Sequence, residues 1–281
     1  MPVDEYLQAR PAPALRPYVA WYSGYRQAGV APGTHRGLPS PYLTLIFTME
    51  DPLVVAAHPD PRQAPGRYAA LVGGLHLAPA MIIHDGFQSG IQVALHPLGC
   101  RALLGLPAGE LAALDFDASD VFGEVFVERV RERLRGAPTW PQRFAAVDAE
   151  LGRRLRPGVE PPSGVAWAFR RLVETGGRTG VAALARETGW SARHLTNRFR
   201  IETGLGVKEA ARVVRFDRVR RRLRPGVRLA ELAADAGYFD QAHLAREFRA
   251  LAGCPPSRWL ADEIGFVQAA RPGGDHDGAH D

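Results

Sequence analysis

Hydrophobic positions change their spacing twice along the chain. Up to about residue 100 the apolar runs are short and partly β-branched: "YLTLIFTM" (42–49), "LVVAA" (53–57), "YAALVGG" (68–74), "AMIIHDG" (80–86) and "IQVALHP" (91–97). Gly, Pro and Asp punctuate them at the intervals of an antiparallel sandwich or barrel, so this half is expected to be β-rich. From Arg101 a helical period takes over. Phe122, Val125, Phe126, Arg129, Val130 and Leu134 predict one helix, capped by Ser119 or Asp120. A second is predicted at "TWPQ", where Thr139 and Gln142 have capping-box spacing and Pro141 suits a first turn. Its stripe of Phe144, Val147, Leu151 and Leu155 fits either a core face or a dimerisation seam, because a helix pair asks for the same spacing.

After the Pro- and Gly-rich stretch "RPGVEPPSG" (156–164) the chain repeats itself. "GWSARHLTNRFRIETG" (189–204) returns as "GYFDQAHLAREFRALAG" (237–253). Leu184, Gly189 and Trp190 recur 48 residues later as Leu232, Gly237 and Tyr238. His194, Leu195, Phe199, Arg200 and Gly204 recur 49 residues later as His243, Leu244, Phe248, Arg249 and Gly253. The added residue is confined to the turn, and apolar register is kept on both sides, as a repeated helix–turn–helix tolerates. In the first copy Thr179 is expected to cap the leading helix, Gly189 to end it and Ser191 to cap the next; in the second, Gly237 and Asp240 take the last two roles. Between the copies, "VKEAARVVRFDRVRRRLRPG" predicts a helix over 207–224, stopped by Pro225-Gly226. A rod of roughly 27 Å sets two such units close to one DNA turn apart, about 34 Å.

The predicted fold class is therefore α+β: a β-rich, sandwich- or barrel-like domain with trailing helices (1–156, the helices from about 101), a linker (157–163), and an all-α domain (164–262). The last holds two helix–turn–helix units, at about 179–200 and 228–250, joined by the basic helix. The tail 265–281 is acidic and polar enough to be expected disordered. Charge sharpens this division. The chain of 281 residues has a net charge of +5. Residues 1–162 hold 15 Arg against 16 acids, whereas residues 163–264 hold 18 Arg and one Lys against 11 acids. Such clustering favours a polyanionic partner, and arginine suits bidentate contacts to phosphate or guanine.

The doubled motif, "RFDRVRRRL" and the closing "GYFDQAHLAREFRALAGCPPSRW" make residues 163–260 resemble the DNA-binding domain of AraC/XylS-type transcription regulators. The closing phrase departs from the family's habit by Tyr238 for Phe, by its "YF" turn, and by Leu244 and Trp259 where other aromatics are usual. The first half is similar, more faintly, to the sensory half of such regulators, "LHPLGCRALLG" (95–105) being the resembling turn. The resemblance implies double-stranded DNA as partner, a possible small-molecule effector or homodimer formed through the first half, and RNA polymerase if the protein activates.

With Leu195 and Phe199 turned inward, Arg193, Thr196 and Asn197 are left to face bases; with Leu244 and Phe248 inward, Gln241, Ala242, His243 and Arg246 are. The family pattern places base contacts at these positions. Arginine forks onto guanine, asparagine pairs with adenine, and alanine meets at most a thymine methyl. Arg200, Arg215, Arg222, Arg249 and Arg258 are candidates for phosphate, where contacts set register and affinity. His194 and His243 share a register that a structural hydrogen bond explains as well as readout does.

Other classes fare worse. Five histidines in the first half (His35, His58, His76, His84, His96) invite a cupin-like metal-dependent enzyme fused to a DNA-binding domain. Metal ligands need closer spacing; His76 and His84 are eight apart, and no H-x-H is followed by a nearby Glu. An RNA-binding or adaptor role would call for aromatic platforms on a sheet, whereas the C-terminal aromatics sit at helix core positions. No phosphate loop, nucleophile elbow or Cys–His pairing is recognisable, and Cys100 and Cys254 are too far apart in sequence to suggest a framework. No catalytic residue, metal or cofactor is expected. Without a signal-like start or a long apolar run, the expected location is cytoplasmic, away from membranes.

Overall fold

The computed structural model describes residues 3–156 and 158–263; the tail expected to be disordered lies outside them. The first half is built on two antiparallel sheets. The larger runs in the order β1 (Val3–Ala9), β2 (Val19–Ala28), β9 (Phe87–Leu95), β4 (Leu43–Thr48), β7 (Ala70–Gly73), β10 (Asp115–Asp117). The smaller runs β3 (Gly33–Gly37), β8 (Ala80–His84), β5 (Leu53–Ala57), β6 (Gly66–Tyr68). Alternation along β4 explains the layering. Leu43, Leu45 and Phe47 point to the helical side, while Ile46 meets Leu53, Val55, Leu71, Ala80 and Ile82 in a separate cluster between the sheets.

The β-rich reading is correct, but its strands are incomplete. "YAALVGG" splits at Ala69 into β6 and β7, which enter different sheets. Strands β1, β2, β3 and β10 carry too many polar or glycine positions to stand out by alternation. β2 is nonetheless the second strand of the large sheet, burying Tyr22 and Tyr25.

Helices α1 (Cys100–Leu104), α2 (Ala118–Phe122), α3 (Glu124–Gly136) and α4 (Trp140–Arg154) follow. The helix expected to start at Ser119 or Asp120 is in fact two. Asp117 is the cap, accepting from the Ser119 amide at 2.8 Å, and Gly123, at φ 85°, breaks α2 from α3. The break also rotates Val125 out of the apolar stripe into solvent. α4 starts as expected, the Thr139 amide donating to Gln142 Oε1 at 3.3 Å. Its stripe is core and not a seam: Phe144 stacks on Tyr22, and Val147 and Leu151 are buried beside it. Gly24 makes this possible, because a Cβ there would lie 2.4 Å from the Trp140 ring. Buried Glu150 ties α3 to α4 by accepting from Arg129 (2.8 Å), Arg133 (2.7 Å) and Arg153. Burial opposes its ionisation, yet the three arginine hydrogen bonds outweigh that and hold the carboxyl below its usual range.

The second half is all helical: α5 (Ser163–Glu174), α6 (Val181–Thr188), α7 (Ala192–Thr203), α8 (Val207–Arg222), α9 (Leu229–Ala236), α10 (Gln241–Ala252) and α11 (Pro256–Glu263). It is docked on the first half, not strung from it. Arg101 of α1 grips Glu202 of α7 with two bonds of 2.8 and 2.9 Å. Gly109, in the turn 108–111, lies so close to α7 that a Cβ would be 2.3 Å from the Ile201 carbonyl oxygen. Arg36 of β3 reaches Asp262 (3.1 Å) and Glu263 (3.3 Å) of α11.

Backbone crowding in the first half gives a direct check. A Cβ at Gly74 would fall 1.7 Å from the Leu111 carbonyl oxygen, backbone that cannot rotate away, whereas one at Gly152, within α4, meets nothing within 4 Å. Gly74→Ala should therefore lower unfolding free energy by about 2 kcal/mol or more. Gly152→Ala should raise it by about 0.5–1 kcal/mol. Urea denaturation of both variants measures the contrast; equal effects would mean that the 74–111 contact is loose.

Candidate nucleic-acid interface

Two glycines build the site. Gly189 ends α6 at φ 71° and Gly237 ends α9 at φ 79°, the left-handed region where a Cβ costs about 1–2 kcal/mol. The next residue closes each turn identically: the Trp190 amide donates to the Ala185 oxygen at 3.0 Å, and the Tyr238 amide to the Ala233 oxygen at 2.9 Å. The following helix is then capped in the same way twice. Ser191 Oγ accepts from the His194 amide at 3.2 Å, and Asp240 Oδ1 from the His243 amide at 2.6 Å. Each histidine ring sets its edge on the aromatic after the glycine, His194 on Trp190 at 4.7 Å and His243 on Tyr238 at 5.2 Å. Thr179 does not cap α6; its hydroxyl donates to Thr175 Oγ1 at 3.0 Å, and Gly180 holds the cap position.

The buried sides of α7 and α10 are the predicted ones. Leu195 and Phe199 are fully buried, Phe199 against Phe169 of α5; Leu244 and Phe248 are buried, Phe248 against Phe216 of α8. The opposite sides leave Arg193 and Asn197 exposed on α7, and Gln241, Ala242 and Arg246 exposed on α10. Thr196 is half-buried and donates its hydroxyl to the Ala192 oxygen at 2.8 Å. His243 is also half-buried, its Nδ1 accepting from the Phe239 amide at 3.3 Å. These two of the seven candidates thus have polar atoms already engaged in their own turns.

Among the phosphate candidates, Arg200, Arg222, Arg249 and Arg258 are exposed, with Arg200 paired to Glu209 (3.2 Å), Arg222 to Asp235 (2.7 Å) and Arg258 to Asp262 (3.5 Å). Arg215 differs. Its guanidinium is turned inward, donating to the Gly177 oxygen at 3.0 Å and to Glu247 at 3.5 Å, over the Tyr238 ring. Most of the arginines on α8 are likewise paired with carboxylates. Asp217, itself buried, takes Arg220 and Arg221 at 2.7 Å each, and Glu247 of α10 takes Arg212 at 2.9 Å. The basic run is partly scaffolding between α8 and the second unit.

Sequence reading passed over these acids. Glu202 offered a signal: it follows Leu195 and Phe199 on the same face at i+7 and i+3, and a carboxylate on a buried stripe requires a partner. That partner, Arg101, lies in the other half of the chain and has no local trace.

A cavity of about 170 Å³ lies where the halves meet, lined from the sheets by Tyr6, Trp21, Tyr42 and Gln92 and from the helices by Arg220, Arg221 and Trp259. Trp259 Nε1 and Arg220 Nε are buried there without a hydrogen-bond partner among the described residues. Arg221 also stacks 4.8 Å from Trp21. Among the described residues no three His, Cys, Asp or Glu side chains gather closely enough to hold a metal ion. Nor is any described helix long and apolar enough to cross a membrane.

Comparison with known proteins accords with this geometry. Residues 184–262 match a helix-turn-helix domain family, and residues 7–117 match a domain family of unknown function, DUF6597. An apo point variant of ToxT from Vibrio cholerae strain SCE256 shares the fold at TM-score 0.51 and 8% identity, over 86% of this chain and 96% of that one. Unsaturated fatty acid bound wild-type ToxT from the same strain aligns at TM-score 0.50 and 8% identity, over 90% and 97%. The DNA-binding domain of AdpA, solved with a target DNA, is 25% identical over 40% of this chain and 98% of that one, at TM-score 0.34. No curated protein sequence matches the chain. Residues 184–262 form an AraC-type helix–turn–helix domain.

The Arg101–Glu202 contact tests how firmly this domain is docked. Arg101→Ala leaves a buried carboxylate without its partner and should cost about 2 kcal/mol, less than a fully buried pair because Arg101 is one-third exposed. Adding Glu202→Gln removes the stranded charge and should recover most of that loss. Unfolding of the full chain in urea measures both, and an equal loss in the single and double variants would show that Glu202 does not depend on Arg101.

Proposed function

We propose that one chain reads DNA with both units, α7 and α10 entering successive major-groove segments while α8 sets their spacing. The observation that supports this best is the repetition of the whole device. Glycine turn, aromatic, cap and buried Leu/Phe pair recur in register, and each copy keeps arginine and an amide exposed on its outer face. In this reading Arg193 and Arg246 fork onto guanine, Asn197 and Gln241 pair with adenine, and Ala242 meets a thymine methyl. Thr196 and His243 flank these contacts. Arg200, Arg222, Arg249 and Arg258 take phosphates once DNA competes for them with their carboxylate partners.

Residues 1–156 are, in the same reading, the sensory half, joined through 157–163 to the DNA-binding domain 164–262. The cavity between the halves suits a small-molecule effector, since both contribute side chains to it. Such a molecule shifts DNA affinity only by binding two arrangements of the protein unequally. A homodimer through the first half, contact with RNA polymerase if the protein activates, and action in the cytoplasm complete the proposal.

Selection of sites from random duplex DNA by the full-length protein, at fixed near-physiological salt, tests it. Two short blocks of base preference about one helical turn apart are expected. Arg246→Ala should then cost about 1–3 kcal/mol and relax preference at one base pair of one block. A single block would refute reading by both units, and uniform weakening by Arg246→Ala would move that residue to the phosphate.

A further inference from the structure

Phe239 is the residue that copy two has and copy one lacks, and it is 93% exposed. In copy one Trp190 runs directly into the cap Ser191; in copy two Phe239 stands between Tyr238 and the cap Asp240. A hydrophobic residue in that position commonly packs on the fourth residue of the helix it precedes. Here that residue is Leu244, 1% exposed and committed to the core, and Phe239 is left in solvent.

The ring is nevertheless held at its root. The Phe239 amide donates to His243 Nδ1 at 3.3 Å, the preceding Tyr238 amide is bonded at 2.9 Å, and the following Asp240 carboxylate accepts from the His243 amide at 2.6 Å. Three successive residues are thus fixed by the turn. An exposed aromatic on an ordered backbone loses little chain entropy when something covers it.

What covers it follows from where it stands. It precedes Gln241 and Ala242, the first exposed residues of α10, and Ala242 offers only a methyl, leaving room beside it for a ring. The Phe239 side chain has no donor or acceptor, and the one apolar group that base edges present in the major groove is the C5-methyl of thymine.

We propose that Phe239 is a specificity-determining residue that packs on a thymine methyl at the edge of the block read by α10. The proposal rests on α10 entering the groove, and it makes the two blocks chemically unequal: the second carries an apolar contact that the first has no residue to make.

The test is a methyl scan. On a selected site, each thymine of the α10 block is replaced in turn by deoxyuridine, which removes the methyl and keeps every hydrogen bond. Wild-type affinity should fall about fourfold at the position that Phe239 covers, the worth of one buried methyl-sized group, apart from any thymine met by Ala242. Phe239→Ala should bind the thymine site about fourfold more weakly and lose its sensitivity to that position, while Phe239→Leu should retain part of it. Thermal unfolding of each variant checks that the turn survives. If Phe239→Ala weakens all sites alike, or leaves affinity and methyl sensitivity unchanged, the proposal is overturned. A ring that serves another protein instead would give the second pattern. Arg246→Ala on the same duplexes keeps the two failures apart. Loss of block preference there, with no methyl effect at Phe239, overturns this proposal alone; no preference in the wild-type block overturns both.

Discussion

In the proposed reading, α7 and α10 of one chain act on one stretch of DNA only if the helix between them does not bend or slide. That requirement falls on α8. Its sixteen residues span about 24 Å, and Val207, Val213, Val214, Phe216 and Val219 are buried. Apolar packing alone would leave the helix free to rotate by small amounts, because the hydrophobic effect has no direction. The ion pairs to α10 supply direction: Glu247 ties Arg212 and Arg215 to it, while Asp217 orders Arg220 and Arg221 along α8 itself. Arginine-rich sequence here therefore serves two ends, a positive surface and a keyed joint, and the second consumes part of the first.

The doubled helix–turn–helix was legible because it depends on local rules. Glycine at a left-handed turn, Ser or Asp at a cap and Leu/Phe at four-residue spacing each act within a dozen residues, and the structure keeps every one of them except the Thr179 cap. The large sheet was only half legible. β2 contains Gly24 because Trp140 must lie against it, and β10 is three residues long because it needs only to edge β7; neither reason is visible without the partner. The same limit hid Glu202 and Glu247 as organisers, whose partners lie 101 and at least 32 residues away. In the candidate site, burial arguments located the exposed faces of α7 and α10, yet could not show that Arg215 is turned inward or that Thr196 and His243 are bonded within their own turns.

Among the described residues the halves touch at several places, and three of these contacts reach different parts of the helical domain: Arg101 the end of α7, Trp21 the side of α8, Arg36 the final helix. Both recognition units are thereby referred to one rigid sheet structure. At Glu263 burial pushes the carboxyl above its usual range against the pull of Arg36.

Gly109 gives that arrangement a consequence for how such proteins can be recombined. Its α-carbon sits so near the carbonyls of Arg200 and Ile201 that no side chain fits. The boundary between the halves is therefore not a neutral seam at which one sensor can be exchanged for another. A graft that joins this DNA-binding domain to a foreign first half must bring the 108–112 turn with it, or supply a glycine of its own at that point. Without it, the end of α7 is lifted from its seat.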